Sequence, residues 1–393
     1  MTVRTRAKRA TEISPAIARS GRRAATRRMD GGLDSPVANI IELPSLGEVK
    51  RKRKIASGRL RIGVTYDLRS DYLAMGYGEE ETAEFDSEIT IDAICDALAA
   101  QGFEPIRIGN VRRLIDALAR GERWDAVFNF SEGLKGLGRE AQVPALLDVF
   151  DIPYVFSDTV TMALCLDKAM AKRVVRDCGV PTPDFVVIER IEEAEAIDLP
   201  FPLFLKPMAE GSGKGVNAKS KVDDATALRR VAADLLIRFD QPVLAESFLP
   251  GREFTVAILG TGADARVLGV SEIVPKDNWV GDGYGFENKE YWHDKVDVIG
   301  ADRESANAAG YVALAAWKTL RCRDGGRVDI RNDAQGRPNF MEVNPVAGLR
   351  PEYSDMCFIA AREGLTYRDL IGRIMDGFLR RNPQLQQRAT AVA

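Results

Sequence analysis

Three oxygen-bearing side chains towards the C-terminal end offer the clearest chemistry in this sequence. Asp329 ends an apolar stretch in Arg327-Val328-Asp329, and Glu342 and Asn344 follow in Met341-Glu342-Val343-Asn344-Pro345. Residues two apart in a strand share a face, so Arg327 points with Asp329 and Glu342 with Asn344. Two carboxylates and an amide oxygen are hard ligands that suit Mg2+, and Mg2+ held by protein carboxylates usually binds substrate phosphates as well. Arg327 sets a cation beside that group, where oxyanion charge could be met. A plain structural ion pair is the other reading of Arg327 with Asp329.

A second group of residues has phosphate chemistry. Lys206 ends an apolar stretch and precedes Gly211, Gly213 and Gly215. Small residues let backbone N–H groups approach phosphate oxygens, and a lysine adds a point charge. The stretch is not a P-loop, because Gly-x-x-x-x-Gly-Lys-Ser/Thr is missing. Lys168, in Asp167-Lys168-Ala169-Met170-Ala171-Lys172, is a further cation, although alone it would read as a solvated helix residue. Glu246 and Glu253 bracket Ser247-Phe248-Leu249-Pro250-Gly251-Arg252. A carboxylate there can accept from a nucleotide amino group or from ribose hydroxyls, and Phe248 and Leu249 can line an adenine slot. Taken alone, either glutamate would be a surface charge. Together the two groups point to an enzyme that uses ATP.

Alternating strands and helices must position these residues. A strand is expected from Leu60 to Tyr66, then a helix over Ser87–Ala100 that Gly102 stops. Strands at Pro105–Gly109, Trp124–Phe130 and Ile152–Phe156, with a helix at Val111–Ala119, read as a parallel α/β layer. A helix over Lys168–Cys178, strands at Phe185–Ile188 and Phe201–Lys206, and a helix over Asp223–Arg238 form a small α+β unit. Strands at Val243–Phe248, Phe254–Leu259, Arg266–Val274, Arg327–Ile330 and Pro338–Val343 follow, interrupted by a helix over Ala301–Leu320. A last amphipathic helix covers Tyr367–Leu379, and the Gln-rich end is expected to fray.

Composition narrows the function classes. A chain of 393 residues is long for one core. Its net charge of -3 gives the molecule as a whole no strong electrostatic signature. Five cysteines without a Cys-x-x-Cys spacing read as reduced thiols of a cytoplasmic protein. No apolar run reaches membrane-spanning length, and the basic start is not followed by the apolar core of a secretory signal. The single histidine, His293, excludes multi-histidine zinc sites and paired-histidine acid–base chemistry. Residues 1–59 hold fifteen Lys or Arg against five acids and read as a disordered basic extension. Nucleic acid or an anionic surface is expected as a partner only through that extension, which lacks the interleaved aromatics of a stacking platform.

From about residue 60 to 381 the chain resembles the ATP-grasp superfamily, specifically the D-alanine–D-alanine ligase family and its relatives. The resemblance rests on Asp167-Lys168 with Gly179-Val180-Pro181, on Leu205-Lys206-Pro207 with Glu210-Gly211-Ser212 and Gly215, and on Glu246 with Gly251-Arg252-Glu253-Phe254-Thr255-Val256. Arg327-Val328-Asp329, Met341-Glu342-Val343-Asn344 and Gly348-Leu349-Arg350-Pro351 complete it. It implies an ATP-grasp fold, α/β and α+β, with an N-terminal parallel-sheet substrate domain over 60–160. A central lid over 161–245, a C-terminal domain over 246–382 with the metal and oxyanion site, and a frayed tail over 383–393 would follow. Lys168 and Lys206 would contact ATP phosphates, with Glu210 and Ser212 in the phosphate loop. Glu246 would meet the adenine amino group and Glu253 the ribose. Asp329, Glu342 and Asn344 would bind two Mg2+ ions, for which Mn2+ can substitute. Arg327 and the Gly348 amide would form an oxyanion hole, and Lys289 would come from a loop closing over an acyl phosphate.

The departures from the family pattern fall where amino acids would bind. Glu84 or Glu88 takes the place of the glutamate that holds the first amino group, Glu88 being better placed in the first turn of its helix. Gly138-Arg139-Glu140-Ala141 stands where the family has Gly-Glu-Asp-Gly, and Tyr353, beside Ser354 and near Arg350, stands where it has a serine for the second carboxylate. Changed hydrogen-bonding groups change substrates. The expected function is therefore an ATP-dependent carboxylate–amine ligase that works through an acyl phosphate on small-molecule substrates other than D-alanine, compatible with a homodimer. D-Alanine–D-alanine ligation is the alternative, and a nucleotide-binding scaffold with a recruiting basic tail is the alternative of another class.

Overall fold

The computed structural model describes residues 58–279, 281, 285 and 292–390, without the side chains of Trp292 and His293. Strands β1 (Arg61–Tyr66), β2 (Glu104–Gly109), β3 (Ala126–Phe130) and β4 (Tyr154–Val155) form a sheet in the order β2-β1-β3-β4. All its pairings are parallel. Parallel sheets must be covered on both faces, and this one reads accordingly: every residue of β3, Ala-Val-Phe-Asn-Phe, is buried. The helix Glu88–Ala100 covers one face through Ile91, Ile94 and Leu98. Gly102, at φ +86°, ends the chain's path out of that helix in a left-handed conformation. Unexpectedly, the same core includes Leu370, Ile374 and Phe378, from the helix Tyr367–Arg380 near the other end of the chain.

A second, antiparallel sheet has the order β5-β8-β6-β7, from β5 (Phe185–Ile188), β6 (Leu203–Pro207), β7 (Lys221–Val222) and β8 (Val243–Ser247). The helix Ala225–Phe239 packs on it through Leu228, Ala232 and Leu235. Because β8 pairs with β5 and β6 along its length, the expected division at 245/246 falls inside a strand. The third sheet, order β11-β10-β9-β12-β13, is antiparallel throughout. It contains β9 (Glu253–Leu259), β10 (Arg266–Pro275), β11 (Val296–Gly300), β12 (Gly325–Asn332) and β13 (Pro338–Asn344). The helix Arg303–Thr319 covers it, capped by Asp302 accepting from the Ser305 N–H and burying Trp317 completely. Truncating such an aromatic costs about 3–5 kcal/mol.

Two expectations change here. The C-terminal segment expected to fray is a helix over Pro383–Thr390. Its Leu385 is buried and its Arg388 reaches Asp125 at 2.8 Å, so tertiary contacts hold a segment too short to be helical alone. A helix over Thr159–Leu166, not anticipated, follows β4 because Asp158 caps it by accepting from the Thr161 N–H.

Candidate active site

The register between β12 and β13 assembles the metal-type cluster. Asp329 lies opposite Glu342 and Arg327 opposite Asn344, with a bulge just beyond that absorbs Met341. The two same-face pairs thus become one four-residue patch. On the other side β9 sets Thr255 against Asp329, and its hydroxyl donates to Asp329 Oδ1 at 2.6 Å. Arg327 donates to Asp329 Oδ2 at 3.1 Å and to Asp355 Oδ2 at 2.8 Å. Among the described residues no group of three or more His, Cys, Asp or Glu forms a metal site; the set here is two carboxylates and an amide. All three offer hard oxygen donors, and the buried Asn344 side-chain nitrogen has no hydrogen-bond partner. The donor set fits Mg2+.

Lys168 opens the helix Lys168–Asp177, whose cap is Asp167. Its ammonium donates to the Glu210 carbonyl and stands 3.5 Å from Glu342. Deeper in, Lys206 Nζ and Lys172 Nζ each lie 2.9 Å from one oxygen of Glu246, which is fully buried. Burial works against the Glu246 charge, yet the two ammoniums outweigh it and hold its carboxyl below the usual range. For Lys206 burial is likewise overcome, by Glu246 and Glu342, and its pKa rises. For Lys172 burial, together with the neighbouring Lys206 cation, outweighs Glu246 and Glu342 and lowers it to about 8. Glu246 is therefore a bridge between two lysines, more than the free acceptor the sequence suggested. Glu253 stands 3.3 Å from Arg331. Phe248 stacks near Phe204, centroids 6.3 Å apart, and both line the apolar end of the cavity with Leu249.

The glycine-rich turn is held in left-handed conformations at Ser212, Gly213 and Gly215. At Gly215 a Cβ would also meet the Pro207 ring at 2.6 Å, so only glycine fits. The loop between β1 and the helix Glu88–Ala100 folds over this turn. Glu84 accepts from the Gly211 N–H, lies 2.9 Å from Arg139 and 3.0 Å from Lys214, and is almost wholly buried. Burial would raise its pKa, but Arg139 and Lys214 more than compensate and lower it.

Two adjoining cavities result. One is lined by Phe204, Lys206, Glu246, Phe248, Leu249 and Glu253. The other is lined by Glu84, Ser212, Asn344, Gly348, Arg350, Tyr353 and Ser354. Lys168, Glu210, Arg327 and Glu342 line both. The second cavity also has Asp86, Glu132 and Glu140 in its wall. Burial raises all three, Asp86 to about 6 and Glu140 to about 7, with neighbouring carboxylates adding to the rise at Glu132 and Glu140. Arg350 lies over the Tyr353 ring at 4.7 Å, and its N–H donates to Ser354 Oγ at 3.0 Å.

Of the sequence candidates, Glu88 is not brought to the site. Its exposed carboxylate pairs with Arg107 at 2.8 Å and lines neither cavity. Its helix turns that face to solvent, whereas Glu84 in the preceding loop points inward. Lys289 lies outside the described residues. Phe204, Lys172 and Arg139 were missed. Phe204 carries a signal, being two residues before Lys206 on the same strand face, and Lys172 sits one helical turn after Lys168. Arg139 was marked only as a departure from the family pattern, and nothing local tells that it meets Glu84 and Glu210.

Comparison with known proteins places this cleft. A model of the D-ala D-ala ligase C-terminus matches residues 174–376. The D-alanine--D-alanine ligase of Bordetella pertussis (strain Tohama I) is 37% identical over 268 residues, covering 67% of this chain and 81% of that protein. The chain belongs to the D-alanine–D-alanine ligase family. The ligase of the same name from Xanthomonas axonopodis pv. citri is 32% identical over 291 residues, 72% of this chain and 87% of its own. The D-alanine--D-alanine ligase of Bacillus anthracis complexed with ATP superposes with a TM-score of 0.61 at 21% identity, covering 83% of this chain and 99% of that one. The VanG D-Ala:D-Ser ligase of Enterococcus faecalis gives 0.64 at 21%, covering 81% and 99%. The fold is thus the ATP-grasp fold and the protein an ATP-dependent ligase. That sets aside the scaffold alternative. It also overturns the expectation of a substrate other than D-alanine, since the curated relatives are D-alanine–D-alanine ligases. The departures behind that expectation are absorbed by the protein: Arg139 turns to Glu84 and Glu210, and Tyr353 lies under Arg350. No helix among the described residues is long and apolar enough to cross a membrane.

Proposed function

We propose that this protein joins two molecules of D-alanine, consuming ATP and releasing ADP and phosphate. The observation that carries the reading is the pair of adjoining cavities, one apolar at its far end and one rich in carboxylates, meeting at Lys168, Arg327 and Glu342. The names of the curated relatives support D-alanine as the substrate.

In this reading the adenine lies against Phe204, Phe248 and Leu249, with Glu246 at its amino edge and Glu253 at the ribose. Lys168, Lys206 and the Glu210–Gly215 turn, with Ser212, neutralise and orient the phosphates. Asp329, Glu342 and Asn344 would hold two Mg2+ ions (Mn2+ can substitute), which neutralise phosphate oxygens when bound. The first D-alanine places its ammonium towards Glu84, which lines that cavity, rather than Glu88. Its carboxylate oxygen attacks the γ-phosphorus, the bond to the ADP oxygen breaks, and an acyl phosphate forms. The second D-alanine, its carboxylate towards Arg350, Tyr353 and Ser354, attacks the acyl carbon with its amine. Arg327 and the Gly348 N–H stabilise the tetrahedral oxyanion, about 3–4 kcal/mol per well-aimed donor. The amine, having given one proton to solvent before attack, gives its second to the departing phosphate as the carbon–oxygen bond to phosphate breaks.

The test is ADP release by the purified protein with D-alanine, L-alanine, or D-alanine together with D-serine. Release with D-alanine alone is expected. Release only with another amino acid, or none in any arm, sinks the reading.

A further inference from the structure

Four charged side chains form a closed ring at the boundary of the two cavities. Arg139 contacts Glu84 at 2.9 Å and Glu210 at 3.4 Å; Lys214 contacts Glu84 at 3.0 Å and also pairs with Glu210. Charges alternate around the ring, and every side chain in it is at most 14% exposed. Its members come from three separate segments: the loop before the helix Glu88–Ala100, the single turn Arg139–Ala141, and the glycine-rich turn. Arg139 also donates to the Ala209 carbonyl at 2.8 Å, and Gln241 braces Glu210 at 2.7 Å. One turn further on, Glu80 accepts from the Gly215 N–H at 3.2 Å and pairs with Arg238 at 3.0 Å. The loop carrying Glu84 is thus fastened to the glycine-rich turn at both ends.

The ring faces both ways. Glu84 lines the carboxylate-rich cavity, Lys214 lines the apolar one, and Glu210 lines both. Buried charges of this kind are held only while every partner stays in place, so moving one cavity's wall moves the other's. We propose that Arg139 is a positioning residue that couples the two cavities, so that D-alanine in one tightens the grip of the glycine-rich turn on ATP in the other. This rests on the functional reading above. Arg139 itself touches neither substrate: it fixes Glu84 and Glu210, and through them the turn. Its planar fork reaches two carboxylates and a carbonyl at once, which a lysine's point charge meets only in part.

The experiment measures the KM for ATP at low and at saturating D-alanine in the parent, R139M and R139K. In the parent, saturating D-alanine should lower the ATP KM by about fivefold or more, the usual lower range of coupling between sites. In R139M that ratio should fall to about one, with the ATP KM raised about tenfold and kcat changed less, and R139K should recover part of the ratio. A parental ratio in R139M, or R139K as impaired as R139M, overturns the proposal. Should R139M fail to fold, R139K and E210Q carry the same measurement, each with an intermediate ratio expected and a parental one overturning. If the parent releases no ADP with D-alanine, the substrate reading has failed, and the ring is read by hydrogen exchange with a non-hydrolysable ATP analogue bound. Faster exchange at the Gly211–Val216 amides in R139K supports the ring, and unchanged exchange overturns it.

Discussion

The two halves of the cleft solve the same problem, holding buried charge, in opposite ways. On the nucleotide side the charges sit on strands and helices and opposite signs meet at short range: Lys206 and Lys172 on Glu246, Arg327 on Asp329 and Asp355. On the amino-acid side they sit on loops, and carboxylates outnumber their cations. Glu84 is compensated, but Asp86, Glu132 and Glu140 are half-buried and desolvation raises their pKa values. The first half is a fixed electrostatic mould for phosphate. The second has more carboxyl groups than cations in its wall, which in the proposed reading suits a site that takes in the ammonium groups of two amino acids.

The largest effect should come from breaking the mould. Lys206→Met or Glu342→Ala is expected to lower kcat/KM for ATP by about 10³-fold or more, as losing a principal phosphate contact does in phosphoryl transfer. Lys206→Met also strips one of the two ammoniums from the buried Glu246 carboxylate, so a lowered thermal midpoint should accompany the loss. Next comes Arg327→Ala, with kcat down about 10²–10³-fold, the cost of one oxyanion donor. The KM for ATP should move little by comparison, and steady-state kinetics would separate the two. Loss in KM alone would make Arg327 a ground-state contact.

The carboxylate-rich half is tested by pH. Glu140 holds its proton in the folded protein up to about 7, against 4.5 for an ordinary glutamate. The folded state therefore binds more protons than the unfolded chain between those values, and stability falls as pH rises through that window. Glu140→Gln should flatten that slope and stabilise the protein at pH 8 by about 1–3 kcal/mol, with little change at pH 4.5. Urea unfolding at the two pH values checks it; equal slopes in parent and variant would contradict the imbalance. The smallest effect belongs to Glu88→Gln, on the exposed face of its helix. Stability should change by no more than about 0.5 kcal/mol and activity hardly at all. A large loss of activity would return Glu88 to the site in place of Glu84.

The same contrast explains what could be read from residues alone. Strand alternation carries the mould in the sequence: Arg327 with Asp329, and Glu342 with Asn344, each pair two residues apart. What alternation cannot give is register, and register is what set Asp329 against Glu342. The amino-acid side has no period to read. Glu84, Arg139 and Glu210 are scattered over more than a hundred residues of chain, and only the folded loops bring them within hydrogen-bonding distance. A helical position in the first turn favoured Glu88 over Glu84, while burial decides the opposite. The departures at Arg139 and Tyr353 suggested a changed substrate because a motif compares positions, and neither its ring partner nor its stacking partner could be seen in it. The helix at Pro383–Thr390 was obscured for a related reason: its stability comes from Leu385 and Arg388 meeting distant segments.

The central claim, that the two cavities meet where a D-alanine carboxylate attacks ATP and a second D-alanine then displaces phosphate, is tested most directly by following oxygen. The protein is incubated with ATP and D-alanine labelled with ¹⁸O in both carboxylate oxygens, and the dipeptide and the inorganic phosphate are weighed by mass spectrometry. The expected result is D-alanyl-D-alanine with one labelled oxygen transferred to each phosphate released. Dipeptide without label in phosphate, or labelled phosphate without dipeptide, would contradict it.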